Sequence, residues 1–277
     1  MKKIDRLGWA DGMSFTAYGV RVGVRVNNPA LLDAIESYLP IGWKPSPVSV
    51  VDRLYSLVHG GAAGAARPGV RRFNLLYSDI TRLARTTDLD EMLERFESDL
   101  QLYVAEAARR RVFIHAGVVG WRGRAILIPG RSLSGKTTLV AELVRLGASY
   151  YSDEYAVMDR SGRVHPFPKP LQVREDASSA KQKKYGVEEF GGRAGDKPLP
   201  VGLVISSPYR KGARWRPRRL SAGQGMLELL ANTVSARRNP RAALYALQQA
   251  ASTATALKGV RGEATEVARA ILKRLEE

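Results

Sequence analysis

A glycine-rich segment at 130–137 has the residue types and the spacing of a phosphate-binding loop. Its two glycines, its lysine and its threonine match the pattern G-x-x-x-x-G-K-T. In this pattern the backbone N–H groups point at phosphate oxygens, the lysine reaches the outer phosphates, and the hydroxyl holds Mg²⁺ at a helix N-terminus. The segment therefore predicts a site for a nucleoside triphosphate with Mg²⁺. The predicted nucleotide contacts are Gly130, Arg131, Ser132, Leu133, Ser134, Gly135, Lys136, Thr137 and Thr138.

The residues on either side of this segment support a phosphate site. A short apolar run at 125–129 predicts a buried strand before the loop. Apolar residues at helical spacing follow from 139 to 146 and stop at Gly147, which predicts a helix that ends there. The segment therefore has the strand, loop and helix order that this kind of site requires.

An acidic pair, Asp153 and Glu154, follows the predicted helix after one turn. The pair lies in a run of strand formers at 148–157, which predicts a strand with two carboxylates at its middle. Neighbouring residues of a strand point to opposite faces, so we expect only one carboxylate to face the loop directly. Upstream, His115 lies in another apolar run at 112–119.

Taken together, His115 with the Ala and Gly after it, the loop, and the segment Ser152-Asp153-Glu154 resemble a known kinase family. They resemble the catalytic domain of HPr kinase/phosphorylase, a bacterial serine kinase related in fold to phosphoenolpyruvate carboxykinase. The resemblance is good over 111–159, extends to 171 and is weak beyond. It implies an α/β fold, with a P-loop-containing mixed-sheet kinase domain at 109–277 preceded by a smaller α+β domain at 1–108.

The resemblance also implies an activity and a role for each residue of the site. It implies an ATP-dependent kinase that transfers the γ-phosphoryl to a hydroxyl, with serine expected, of a protein, peptide or free amino acid. Asp153 matches the aspartate that takes the hydroxyl proton, and His115 matches the histidine that hydrogen-bonds and tunes it. Glu154 matches a second aspartate that binds metal, and Thr137 is the other expected metal ligand. Lys136 would neutralise the transferring phosphoryl group.

The chain departs from the family pattern at several positions. Glu154 replaces an aspartate, which lengthens the reach to metal but keeps the charge. Arg131 and Leu133 replace the acidic and small residues that are usual in the loop. The family's C-terminal segment, which supports dephosphorylation, is not recognised in the chain. We therefore retain the kinase half of the activity and do not assume HPr as the acceptor.

A strong positive charge suggests an anionic partner. The chain of 277 residues has 44 Lys and Arg against 27 Asp and Glu, a net charge of +17. The densest basic cluster lies at 210–219, in a predicted hairpin around Trp215. We predict that Arg216, Arg218 and Arg219 contact the acceptor. The other interpretation is a solvated face without a ligand. Nucleic acid is the weaker alternative partner, because no recognition-helix pattern and no ring of exposed aromatic residues accompanies the charge.

Composition and apolar patterning limit the remaining possibilities. The chain has no cysteine, which excludes disulfides and thiolate metal sites. No signal peptide and no run of eighteen apolar residues is recognised, so we expect a cytoplasmic protein with no membrane partner. A second function remains open: a nucleotide-binding regulatory module, without transfer, in which bound ATP sets the position of the N-terminal domain.

The N-terminal domain is expected to contain both strands and helices. Alternating valines at 20–26 predict a strand, and a helix is predicted at 28–39. A strand pair is predicted around 60–69, with 72–77 as its second member, and an amphipathic helix at 88–110 joins the domains. The sequence leaves substrate recognition and homo-oligomerisation open as roles of this domain.

The chain beyond the acidic pair is predicted to alternate between ordered and mobile segments. A polar segment at 174–197 is expected to be a lid or a disordered loop. A buried strand is predicted at 200–206. Helices are predicted at 221–236, 240–256 and 263–275.

Overall fold

The structure of the protein, a computed structural model, describes residues 3–62, 71–130, 134–174 and 182–276. The chain divides into two compact units, Met1–Arg109 and Arg110–Glu277. The domain boundary predicted from the sequence falls one residue earlier. Within the described ranges, no helix combines the length and the apolarity needed to cross a bilayer.

The first unit is a six-stranded sheet with the strand order β3-β1-β2-β4-β5-β6. Among the described strands of this sheet, β2 and β4 are the only pair that runs parallel. The predicted strand at 20–26, the predicted strand pair and the long helix are confirmed, and the valines of β2 face the core with the apolar side of α2. The elements are β1 Asp11–Ala17, β2 Val20–Val26, α1 Ala30–Ile35, β3 Lys44–Pro45, β4 Arg53–Val58, β5 Asn74–Ser78, β6 Thr81–Thr86 and α2 Leu89–Ala107.

The second unit contains the predicted site and has more strands and helices. Its strands are β7 Val112–Trp121, β8 Arg124–Pro129, β9 Ser149–Ser152, β10 Tyr155–Met158, β11 Arg163–His165, β12 Leu171–Arg174, β13 Gln182–Tyr185, β14 Leu199–Ser206, β15 Arg218–Leu220 and β16 Thr255–Lys258. Its helices are α3 Lys136–Arg145, α4 Ala222–Leu230, α5 Pro240–Thr253 and α6 Ala264–Lys273.

The main sheet of the second unit is mixed and is covered on both faces. Its strand order is β11-β10-β7-β8-β14-β16-β15, and β9 also pairs with β7. The strands β8, β14 and β16 are parallel, and the other pairs are antiparallel. Helices α3 and α6 pack into one apolar cluster, and α4 and α5 pack into another. This architecture confirms the coarse expectation of an α/β fold with a mixed sheet.

The predicted helices near the C-terminus are longer than the observed ones, and one strand was missed. Helix α5 ends at Thr253, and β16 then lies inside the sheet between β14 and β15. Four residues are too few to show an alternating pattern, so their identity as a strand depends on the partner β14. Helix α4 ends at Leu230. A separate 3-10 helix at Val234–Arg237 overlaps the end of the helix predicted at 221–236.

The described part of the polar segment at 174–197 is not a structureless loop. Strand β13 pairs with β12 in an antiparallel ladder. Val187 is buried in the same apolar cluster as helix α3, and Phe190 packs against that cluster. Residues 175–181 of the predicted lid lie outside the described residues.

Candidate functional site

The candidate site lies at the end of the main sheet where its parallel strands have their carboxyl ends. Because β8, β14 and β16 are parallel, their carboxyl ends meet at this end of the sheet. Helix α3 begins at the same end of the sheet, within the phosphate-loop segment at 130–137. Its N-cap residue, Gly135, has a φ of 79° and a ψ of 20°, a left-handed conformation that glycine adopts at little cost.

The described ends of the predicted phosphate loop approach each other closely. A methyl group added to Gly130 would lie 2.9 Å from the Ser134 hydroxyl oxygen, so the Ser134 side chain lies directly against Gly130. Lys136 Nζ donates a hydrogen bond of 2.7 Å to the Gly130 carbonyl oxygen. Thr138 is exposed in the first turn of α3. The three predicted nucleotide contacts between these ends, Arg131, Ser132 and Leu133, lie outside the described residues.

Lys136 is buried inside this arrangement, with 7% of its surface exposed. Burial lowers the pKa of its ammonium group, because the charged form loses hydration, while the nearby Asp153 opposes this shift. The ammonium group is therefore held at the base of the loop. In P-loop proteins the corresponding lysine meets the outer phosphates.

Asp153 and Thr137 are in direct contact at the first turn of α3. The Thr137 hydroxyl donates a hydrogen bond of 2.7 Å to Asp153 Oδ2. The other oxygen, Oδ1, is buried without a hydrogen-bond partner among the described residues. Burial raises the pKa of the Asp153 carboxyl to about 7, and the charge of Glu154 adds to the increase, while Thr137 and Lys136 oppose it. A carboxyl with a pKa near neutrality is suited to exchange protons.

The acidic pair lies in a bend, so the predicted continuous strand at 148–157 was wrong. Strand β9 ends at Ser152 and β10 begins at Tyr155, and both pair with β7. The Ser152 hydroxyl accepts hydrogen bonds from the N–H groups of Glu154 and Tyr155, at 3.1 and 3.0 Å. This local bonding turns the chain, so the alternation of faces expected in a strand does not apply to Asp153 and Glu154.

Glu154 has different surroundings from Asp153. Its carboxylate is partly exposed, and Oε2 lies 3.7 Å from Lys169 Nζ. The predicted metal ligand Thr137 contacts Asp153. Within the described ranges, no group of three or more His, Cys, Asp or Glu residues is gathered as a metal site.

His115 supports the loop by a contact that the resemblance did not imply. Its Nδ1 lies 2.8 Å from the Gly130 carbonyl oxygen. Since a carbonyl oxygen only accepts, Nδ1 carries the proton in this contact. Burial is the main cause of a lowered His115 pKa, so the ring is neutral at pH 7. No hydrogen bond in the described part of the chain joins His115 to Asp153, so the implied tuning contact is not observed.

The glycine two residues after His115 allows helix α3 to pack on β7. A methyl group added to Gly117 would lie 2.6 Å from Val140 Cγ2, too close for any unshifted contact. This glycine therefore allows the close approach of α3, the helix that carries Lys136 and Thr137, to the strand that carries His115.

Arg261 is a site residue that the sequence analysis missed. Its side chain is 2% exposed, and Nη2 donates a hydrogen bond of 2.5 Å to the Gly135 carbonyl oxygen. The guanidinium also lies over the Tyr209 ring, 5.7 Å from its centroid. In an arginine-rich chain, one more arginine gives no local signal that it is buried. A Gly on either side of the pair Val260-Arg261 is the only hint of close packing.

The basic cluster does not form the predicted hairpin. Apart from an isolated bridge between Tyr209 and Arg261, residues 207–217 contain no strand. Arg216 lies in this loop, whereas Arg218 and Arg219 lie on the edge strand β15, where neighbours point to opposite faces. Arg218 is paired with Lys258 across the ladder. Burial raises the pKa of Glu228, but hydrogen bonds from Lys258 and Ser206 lower it by more, and the charge of Arg218 adds to the lowering. The three predicted acceptor contacts therefore do not share one face.

One cavity lies away from the candidate site. It has a volume of about 400 Å³ and lies around the hairpin between β7 and β8, at the end of β8 opposite Gly130. Its lining residues include Trp121, Gly123 and Tyr151. None of the predicted site residues lines this cavity.

Comparison of the chain with protein-family models gives no match, and comparison with curated proteins gives none either. The candidate function therefore depends on the site geometry and on the chemistry of its residues.

Proposed function

We propose that the protein is an ATP-dependent kinase that transfers the γ-phosphoryl group to a hydroxyl, with serine in a protein, peptide or free amino acid as the acceptor. The observation that carries the proposal is the contact between Thr137 and Asp153. It places a partly buried carboxyl, with one buried oxygen and a pKa of about 7, beside the helix turn that a G-x-x-x-x-G-K-T segment presents to phosphate.

The described residues fit a bound triphosphate. The first N–H groups of α3 have no partners within the helix, and the positive end of the helix dipole favours an anion there. Lys136 lies at the base of the loop, and one of its ammonium protons already meets the Gly130 carbonyl. Because an ammonium group has three donors, the same side chain can also meet phosphate oxygens.

The residues present also fit a magnesium ion at one side of the loop. Oxygen ligands of the type that Mg²⁺ requires are present here: Thr137 Oγ1, the Glu154 carboxylate and, if Asp153 is not the base, its Oδ1, which has no hydrogen-bond partner among the described residues. Mg²⁺ is bound by one or two carboxylates together with phosphate oxygens and water, so a large protein ligand set is not needed. Bound Mg-ATP would supply the phosphoryl group and neutralise part of its charge.

In this proposal Asp153 is the base that accepts the hydroxyl proton of the acceptor. The Thr137 hydroxyl holds Oδ2 and thereby fixes the orientation of the carboxylate. Oδ1 is then the atom left to accept a proton. Near pH 7 a carboxyl of this pKa exists in both forms, so it can take up the proton and release it again. Glu154 and Thr137 would hold the metal.

The contact between Thr137 and Asp153 also supports a second assignment of roles. If Asp153 Oδ1 binds the metal, the partly exposed Glu154 becomes the carboxylate that meets the acceptor hydroxyl. The two assignments predict opposite behaviour of the two amide variants toward Mg²⁺.

The fold of the kinase domain is part of the proposal. Its support is the order of β7, β8, α3, β9 and β10 along the chain, which follows the pattern of the HPr kinase/phosphorylase resemblance. The alternative function, a regulatory module that binds ATP without transfer, needs the loop and Lys136. It does not need a buried carboxyl of raised pKa beside them.

The proposal is tested by incubating the protein with Mg²⁺ and ATP labelled in the γ-phosphoryl group, with an array of serine-containing peptides and free L-serine as acceptors. We expect acid-stable label on a serine hydroxyl. Asp153→Asn should lower the transfer rate by about 10²–10⁴-fold, the range of general base catalysis. The matched control is Glu266→Gln, which removes an exposed carboxylate from α6.

One result would contradict kinase activity, and another would contradict the role of Asp153. ATP binding without labelled acceptor would favour the regulatory module, and full transfer by Asp153→Asn would exclude Asp153 as the base.

A further inference from the structure

We propose that the loop at residues 208–217, here called the basic loop, binds an acidic segment of the phosphoryl acceptor. The acceptor would then be a peptide or protein that carries carboxylates near the hydroxyl to be phosphorylated. This inference rests on the proposed kinase function and specifies its substrate class.

The basic loop is fixed along its length to the segment at 259–262. The Arg261 N–H donates to the Pro208 carbonyl at 3.1 Å, and the Arg210 N–H donates to the Arg261 carbonyl at 2.9 Å. Methyl groups added to Gly262 and Gly259 would lie 2.4 Å from the Ala213 carbonyl oxygen and 2.9 Å from Pro217 Cα. The two segments therefore approach so closely that glycine is needed at both positions.

The same segment attaches the basic loop to the beginning of helix α3. Arg261 bonds to the Gly135 carbonyl, and a methyl group on Gly135 would lie 3.3 Å from Tyr209 Cβ. Thr137, two residues further on, bonds to Asp153. The start of the basic loop and the proposed base therefore contact the same turn of α3, so an acceptor bound to the loop is close to the proposed site of transfer.

The charges of the basic loop are available to an external partner. Four exposed cations lie in it: Arg210, Lys211, Arg214 and Arg216. None of the four makes a salt bridge with a carboxylate in the described part of the chain, and the sequence has no acidic residue between Asp196 and Glu228. Cations clustered on one loop repel each other, and a bound polyanion relieves this repulsion. The loop therefore favours a ligand with several negative charges.

The aromatic residues of the basic loop favour a peptide over a nucleic acid. Trp215 is half-buried and packs against the apolar cluster of α3 and α6. The Tyr209 hydroxyl donates to Glu263 Oε1 at 2.7 Å, and its ring lies against the Arg261 guanidinium. Single-stranded nucleic acids need rings on which bases stack, and duplex readers place a helix or a β-ribbon in a groove. The Tyr209 ring is 44% exposed, but it is a single ring with Arg261 over its face, so the basic loop offers no series of rings for successive bases and no helix or ribbon for a groove.

The experiment compares two triple variants with equal loss of charge. The loop variant is K211Q/R214Q/R216Q, and the control variant is R237Q/R241Q/R269Q, which neutralises exposed cations elsewhere in the same unit. The probe is a fluorescent glutamate-rich peptide with a single serine, and its partner peptide has glutamine at every glutamate. Binding is measured by fluorescence anisotropy at low and at physiological salt.

We expect the wild-type protein to bind the glutamate peptide about tenfold more tightly than the glutamine peptide at low salt. The loop variant should lose this preference by about tenfold, and the control variant should change by less than about twofold. The affinity for Mg-ATP should be unchanged in the loop variant, because its three substituted side chains are exposed and lie outside the phosphate segment.

Three outcomes would overturn the inference. One is equal binding of the two peptides by the wild-type protein. Another is that the loop variant and the control variant lose the preference for the glutamate peptide equally. The third is a DNA oligomer of the same charge that binds more tightly than the peptide and depends on the same loop, which would assign the loop to nucleic acid. Failure of Mg-ATP to bind the wild-type protein, with peptide binding intact, would instead contradict the proposed kinase function.

Discussion

Arg261 donates a hydrogen bond from its buried guanidinium to the carbonyl oxygen of Gly135, a residue 126 positions earlier in the chain. Gly135 is the N-cap of α3, and its carbonyl also accepts a hydrogen bond from the Leu139 N–H. The Arg261 contact therefore fixes the turn from the phosphate segment into the helix.

Replacing Arg261 by methionine should destabilise the protein and weaken nucleotide binding. Methionine fills similar space but leaves the Gly135 carbonyl without its charged donor, a loss of about 1–3 kcal/mol. Urea unfolding would measure the free energy of unfolding, and calorimetry would measure the affinity for Mg-ATP. Arg269→Met, at an exposed site on α6, is the control and should change neither quantity appreciably. An unchanged free energy of unfolding in Arg261→Met would show that the contact does not contribute to stability.

Local signals in the sequence predicted the strand before residues 130–137 and helix α3 well, and the distant contacts poorly. The strand, the loop and helix α3 are neighbours in the chain, so spacing and apolar period were sufficient. Arg261 contacts Gly135 across most of the second unit, and no residue near Arg261 indicates this contact. The bend at the acidic pair depends on the Ser152 hydroxyl, which accepts hydrogen bonds from the N–H groups of Glu154 and Tyr155. A continuous strand would use such groups to bond a neighbouring strand. The short strand β16 is defined by its pairing with β14.

The raised pKa of Asp153 predicts a stability difference that depends on pH. In the folded protein this carboxyl has a pKa of about 7, against 3.8 for the ordinary value. At low pH the carboxyl is protonated in both the folded and the unfolded state, so its raised pKa does not lower the free energy of unfolding. As the pH rises from about 4 to 7, the unfolded state loses its proton more readily and the folded state loses stability; above 7 the penalty is constant.

Asp153→Asn should remove this penalty while keeping an oxygen that accepts from Thr137. Without Mg²⁺ and nucleotide, we expect the variant to be more stable than wild type at pH 8, by on the order of 2–4 kcal/mol. The difference should shrink as the pH falls toward 4. Denaturant unfolding across this range is the measurement, with Glu266→Gln as the control. A difference that grows toward low pH would mean that the Asp153 pKa is lowered.

The two carboxylates of the bend should respond differently to magnesium. If Asp153 is the base, Asp153→Asn retains Mg-ATP binding and loses transfer, whereas Glu154→Gln raises the Mg²⁺ concentration needed for half-maximal transfer by about tenfold. Titration of Mg²⁺ at fixed ATP in both variants separates the roles. The opposite pattern would assign the metal to Asp153 and the base to Glu154, as the contact between Thr137 and Asp153 allows.

The most direct test of the account is the affinity of Lys136→Met for ATP and for ADP, each measured by calorimetry with Mg²⁺. Methionine keeps the buried volume and removes the ammonium group that is proposed to meet the outer phosphates. We expect wild-type protein to bind ATP and the variant to lose about tenfold to hundredfold in affinity, with a smaller loss for ADP. Lys273→Met, at an exposed position near the end of α6, should bind as wild type does. No ATP binding by wild type, or equal ATP affinity in wild type and Lys136→Met, would contradict the assignment of the phosphate site.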